Sequence, residues 1–223
     1  MIRLKWIILQ TKATLDDLAE IFFTHEFSQE SSNGFHLNLV NNEVIEGEFI
    51  QRSVQRETIH RPDSSEEVLE IERFSYLDFK VSYIKNNYFL VELKNPPRTL
   101  SDFLNYIHSK LSHHLVVDSV ELDVMKVVNL IQNRDGFSSV KIKKIKVSSI
   151  ALDVRSAASI EIQSHENAYK DFMDNFSFNS FSVDCIKLIA NYCGKSVNLL
   201  IKKNGISSDT MEISNIVKEI IEE

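Results

Sequence analysis

The densest run of a single chemistry in this 223-residue chain is Val140-Lys141-Ile142-Lys143-Lys144-Ile145-Lys146-Val147. Lysines alternating with aliphatic residues belong on a strand, where ammonium groups can contact phosphate oxygens without reading bases. Lys141, Lys143, Lys144 and Lys146 are therefore the candidate nucleic-acid-binding residues. Lysines also guard an outer strand against pairing with another chain, and that structural role is the reading taken here; the Lys143-Lys144 break in alternation marks a bulge. His108, His113 and His114, with Asp118 beyond them, would hold a metal only if the chain folded back. Histidines in the last turn of a helix complement its dipole, and no metal ligand is assigned. Cys193-Gly194-Lys195-Ser196 ends like a phosphate-binding loop, but Ile189 stands where that motif needs glycine, so the segment is read as a turn. His25-Glu26 lacks the second histidine of a zinc helix, and Cys185 and Cys193 match no metal-ligand spacing.

The segment from Tyr76 to Pro96 places Asp78, Glu92 and Lys94 on two adjoining strands. A connection of Lys85, Asn86 and Asn87 sets Phe79 against Leu93, Val81 against Val91 and Tyr83 against Phe89, making one apolar face. The other face then opposes Asp78 to Lys94 and Lys80 to Glu92, complementary pairs suited to a solvated sheet surface. Asp78 with Glu92-Leu93-Lys94 resembles the D…E-x-K core of the restriction-endonuclease-like nucleases, over this hairpin alone. The resemblance implies that Asp78 and Glu92 would hold magnesium, which polarises phosphate and activates water, while Lys94 stabilises developing charge. The solvated-face reading is preferred, so no catalytic residue or cofactor is assigned; Asp78, Glu92 and Lys94 form the nuclease alternative.

The elements that would carry these residues follow from periodicity. Thr14-Leu15-Asp16-Asp17 opens a helix to about Glu26, with Leu15, Leu18, Ile21 and Phe22 on one face. Alternation then predicts strands over 35–40, 43–54, 67–74, 76–84 and 88–94, an antiparallel meander closed by Asn95-Pro96-Pro97. Thr99 to Asp102 caps a second helix, Leu115–Val120 reads as strand, and Leu122–Gln132 as helix. Strands at Val140–Val147 and Ile150–Ile162 pair across a Ser148-Ser149 turn. Ser164 caps a helix with Tyr169, Phe172, Met173 and Phe176 on one stripe, Phe172 and Met173 at its centre. Phe181–Lys203 is read as a hairpin turning near Gly194, with a helix over Val183–Cys193 as the alternative, and a last helix carries Ile213, Ile216, Val217, Ile220 and Ile221.

The fold expected is α+β, antiparallel sheets bearing single amphipathic helices, in lobes spanning 1–112 and 113–223. With 43% hydrophobic residues, 5 glycines and 3 prolines, collagen-like and disordered classes are excluded. A net charge of -7 repels phosphate on average, so nucleic-acid binding needs a local basic patch. The apolar run Trp6–Leu9 is too short for a signal peptide, which with two cysteines suggests a cytoplasmic protein and no membrane partner. With no catalytic set assigned, the function expected is a non-catalytic binding protein with a protein partner, a component of a larger prokaryotic assembly. The abundance of Ile, Asn, Lys and Ser suits an AT-rich gene and, by association, a mobile-element or phage-defence setting. A metal-dependent nuclease and a nucleic-acid-associated accessory protein are the alternatives.

Overall fold

The computed structural model describes residues 1–60, 62–63, 66–85, 87–111, 115–152, 155–176, 178 and 180–222. It is an α+β chain built mostly of antiparallel sheet. It divides into two compact units, one of Ile7–Asp118 and one of Met1–Trp6 with Ser119–Glu223. The first strand, β1 (Ile2–Gln10), thus gives its beginning to one unit and its end to the other.

In the Ile7–Asp118 unit, helix α1 (Leu15–Thr24) starts at Thr14, whose hydroxyl accepts from the Asp17 amide while the Asp17 carboxylate accepts from the Thr14 amide. Strands β2 (Asn33–Val40), β3 (Val44–His60), β4 (Glu66–Lys85) and β5 (Tyr88–Lys94) follow in the order β2-β3-β4-β5-β1. Residues 67–84 form one strand rather than the two expected, because Phe74-Ser75-Tyr76 contains no residue that breaks a ladder. The hairpin register is the expected one, Phe79 on Leu93, Val81 on Val91 and Tyr83 on Phe89. Lys85 pairs with Tyr88 after a register shift, so the connection is tighter than three residues. Helix α2 (Ser101–Lys110) begins at Leu100, which has no side-chain oxygen and makes no cap bond, so the expected capping is absent. Leu18 and Phe22 of α1 and Phe103 and Ile107 of α2 join Phe35, Phe49, Phe79 and Leu93 in one core. Within it the Phe22 and Phe35 rings lie 4.5 Å apart and those of Phe79 and Phe103 5.7 Å. Burying each such side chain contributes about 1.5–3 kcal/mol.

Beyond the last β2 and β5 pairings, β3 and β4 continue together as an exposed two-stranded ribbon ending at the His60–Glu66 pair. Arg52 with Glu72, Arg56 with Glu70 at 2.7 Å and His60 with Glu66 at 3.1 Å tie it across.

Strand β6 (Val116–Ser119) pairs with β1. Helix α3 (Val124–Asn133) is capped by Asp123, whose carboxylate accepts from the Met125 and Lys126 amides. Strand β7 (Phe137–Ala151) runs through Ser148-Ser149, where a turn was expected. The break in alternation there is a bulge, with Ser149 at φ 56°, and the connection to β8 (Ala157–Gln163) lies after Ala151. Helix α4 (Ala168–Asn175) is capped by Asn167, whose side chain accepts from Tyr169 and Lys170. The expected cap, Ser164, instead accepts from the Glu166 amide. Phe172 is fully buried against Phe176, Phe178 and Phe181, whereas Met173 is 47% exposed, so only one of the two expected anchors is seated.

Strands β9 (Ser182–Tyr192) and β10 (Lys195–Lys202) form the expected hairpin, not a helix. Cys193 and Gly194 both take positive φ between the paired Tyr192 and Lys195, as a type I′ turn requires. The chain ends with β11 (Gly205–Ser208) and α5 (Glu212–Glu222). The strand order here is β1-β11-β10-β9-β7-β8, and α3 packs on β7, β9, β10 and α5.

Candidate functional site

In an antiparallel sheet, residues directly opposite one another share a face. The register of each strand pair in this second unit therefore sorts its side chains. One row runs Ile162, Ile145, Ile186, Ile201, Ile206 and Leu4 from β8 across to β1. Its five residues from Ile145 to Leu4 are buried, on the face shared with the helical core. Because the side-chain period of a strand is two, the residues on either side of each of these must point the other way.

The opposite face carries a row of Gln163, Lys144, Lys187, Leu200, Ser207 and Arg3, and a second of Glu161, Lys146, Cys185, Lys202 and Gly205. Lys5 follows Arg3 on the same side of β1 and Lys141 precedes on β7, opposite Ile189. At about 4.8 Å per strand, six strands span roughly 24 Å. A depression of about 870 Å³ lies on this face, lined by Lys143, Lys144, Lys146, Lys187, Lys202 and Lys203 against Glu121, Glu161 and Asp184. Positive charge is thus concentrated here in a chain whose net charge is -7.

Two of the carboxylates are held by lysine. Lys144 lies 2.6 Å from Glu161, and Lys203 lies 2.8 Å from Asp184. The Lys144 bond holds the Glu161 carboxyl below its ordinary range, and the Lys203 bond does the same for Asp184, with Ser148 and Lys146 assisting. Lys143, inserted by the bulge between Ile142 and Lys144, donates to the His165 carbonyl. Lys5, Lys141, Lys146, Lys187 and Lys202 have no carboxylate within 4.0 Å among the described residues, which leaves their ammonium groups available to a bound anion. Burial pushes the Cys185 thiol up despite Lys202 and Lys144, which favours its protonated form.

The expectation that β7 is an outer strand is overturned: it pairs with β9 on one side and β8 on the other. Its lysines therefore protect no edge. The expected bulge at Lys143-Lys144 is present. Sequence reasoning missed Lys187, Lys202, Lys203, Arg3 and Lys5. The available signal was the polar half of the alternation in Cys185-Ile186-Lys187-Leu188 and Leu199-Leu200-Ile201-Lys202.

The nuclease alternative falls in the other unit. Asp78 lies opposite Lys94 and Lys80 opposite Glu92, which makes Asp78 and Glu92 diagonal neighbours, roughly 7–8 Å apart at the backbone. Lys80 forms an ion pair with Glu46 at 2.8 Å. Asp78 is exposed, but Glu92 is 5% exposed and engaged within the protein, so the face read as solvated is buried at that residue. Among the described residues no group of three or more His, Cys, Asp or Glu side chains is placed to hold a metal ion. His108 sits in the last turn of α2, while His113 and His114 lie outside the described residues. Among the described residues no helix is long and apolar enough to cross a membrane.

No protein-family model matches this sequence, and no relative is found among curated proteins.

Proposed function

We propose that the protein is a non-catalytic binding protein that holds a nucleic acid by its phosphates on the lysine face of the Ser119–Glu223 unit. The observation that carries the reading is the register, which brings lysines of β7, β9 and β10 onto one face over a buried isoleucine row. A local field of this kind overrides the repulsion expected of an acidic chain, because charges within about a Debye length dominate at a surface. Membership of a larger prokaryotic assembly, a protein partner and a cytoplasmic setting belong to the same proposal.

The test is a titration of labelled oligonucleotide against the protein and against Lys146→Gln/Lys187→Gln/Lys202→Gln. We expect the triple variant to bind at least about 10-fold more weakly at moderate salt, since each lost phosphate contact removes a counterion-release contribution. Equal binding by the two proteins, or none by either, overturns the proposal.

A further inference from the structure

We infer that the ligand of this face is double-stranded nucleic acid, held without regard to sequence. The inference rests on the binding reading above and names its substrate class.

The first observation is what the face lacks among the described residues. Neither row, nor the lining of the depression, includes an aromatic side chain. The nearest aromatic pair by register, Tyr192 with Phe137, has its rings 4.6 Å apart and lies on the isoleucine side, since Ile186, Leu188, Ala190 and Tyr192 alternate together. Proteins that hold single strands rely on base stacking, worth about 1–3 kcal/mol per base. A single strand laid here would forgo that term and still have to be ordered.

The second observation is spacing. Lys146 and Lys202 stand two strands apart, about 10 Å, with Cys185 between them, and β1 adds Arg3 and Lys5 two strands further on. Cations on β7, β9, β10 and β1, fixed to paired strands, form a field about 19 Å across at about 4.8 Å per strand, which reaches phosphates on both sides of a groove about 12 Å wide. A duplex presents those phosphates already ordered and at the higher charge density, one charge per roughly 1.7 Å. Lysine contacts to phosphate carry no sequence information, and of the Asn, Gln and Arg side chains suited to reading base edges the two rows hold Gln163 on β8 and Arg3 on β1, at opposite ends of the sheet.

Fluorescence anisotropy on the full chain tests this, with four probes: a duplex of roughly two helical turns, a second duplex of scrambled sequence, a mixed-sequence single strand of equal length, and heparin as a base-free polyanion. We expect the duplexes to bind equally and at least about 10-fold tighter than the single strand. With five available lysines, the log–log salt slope on duplex should be about -4.5, so affinity falls roughly 500-fold between about 50 and 200 mM salt. Lys218→Gln, a control on α5, should leave both affinities unchanged. A single strand bound as tightly as duplex, or a preference between the two duplexes, overturns this inference while leaving the binding reading intact. Failure of both duplexes and the single strand, whether or not heparin binds, overturns the binding reading itself.

Discussion

Lys144 and Glu161 form an ion pair at 2.6 Å although they are not opposite one another, since the register sets Lys144 against Gln163 and Lys146 against Glu161. The lysine reaches diagonally to Glu161 on the neighbouring strand β8, so Glu161 occupies an ammonium group that a phosphate could otherwise take. Glu161→Gln should therefore strengthen duplex binding by about 2- to 5-fold and steepen its salt slope by up to about one. Anisotropy titrations at two salt concentrations measure both. Weaker binding by the variant would show that Glu161 orders Lys144 for the ligand rather than competing for it.

Acid should loosen the same region. Asp184 and Asp209 both have carboxyls held below the ordinary value of 3.8, Asp184 by Lys203 and Asp209 by the Asn198 backbone and side-chain amides. A folded value below the unfolded one means stabilisation that is complete above the unfolded value and is lost as pH falls through the folded value. Urea midpoints should thus drop as pH goes from neutral to about 3, and Asp184→Asn should flatten part of that drop. An Asp184→Asn profile parallel to the parent's would remove Asp184 from the account.

Phe172→Ala should destabilise the protein by about 3 kcal/mol or more, the usual result of truncating a fully buried aromatic residue. Met173→Ala, at the neighbouring but exposed position, should change stability by less than about 1 kcal/mol. Denaturant midpoints for the pair decide whether α4 is anchored through one residue.

The ribbon should be dispensable for folding. Replacing residues 56–70 by Asn-Gly, so that Gln55 and Ile71 close a shorter hairpin, removes side chains that, among the described residues, are exposed apart from the half-buried Glu67. The expected change in stability is within about 1 kcal/mol, because a lone two-stranded ribbon contributes little by itself. A large loss of the urea midpoint would mean that the ribbon's cross-strand ion pairs support the core end.

Incubation of DNA or RNA with magnesium or manganese should leave it intact. Asp78→Asn is the informative variant, since Asp78 is exposed whereas altering the buried, engaged Glu92 would disturb the fold. Metal-dependent cutting that this variant abolishes while remaining folded would establish the nuclease alternative.

Local pattern carried much of the fold. The capping box at Thr14, the β4–β5 register and the Cys193-Gly194 hairpin were all legible, because each depends on residues close in sequence. One misreading came where a bulge and a turn look alike: Val147 to Ile150 loses alternation in either case, and only the bulge keeps the ladder going. The site was half legible for a different reason. Lys141 to Lys146 announce themselves on one strand, but their partners Lys187, Lys202 and Arg3 arrive through the order β7-β9-β10-β11-β1, which no local pattern specifies.

The isoleucine row and the lysine rows are two sides of the same strands, and this makes folding its own inspector of the surface. A slip of one residue in β9 would turn Lys187 inward and Ile186 outward, exchanging the two faces along the whole strand. A misregistered chain would then bury ammonium groups without partners, which is far costlier than losing an aliphatic contact. Molecules that mature to the native state are thus screened for a correctly assembled cation face before any ligand is met, and errors there surface as misfolded protein rather than as a defective binder.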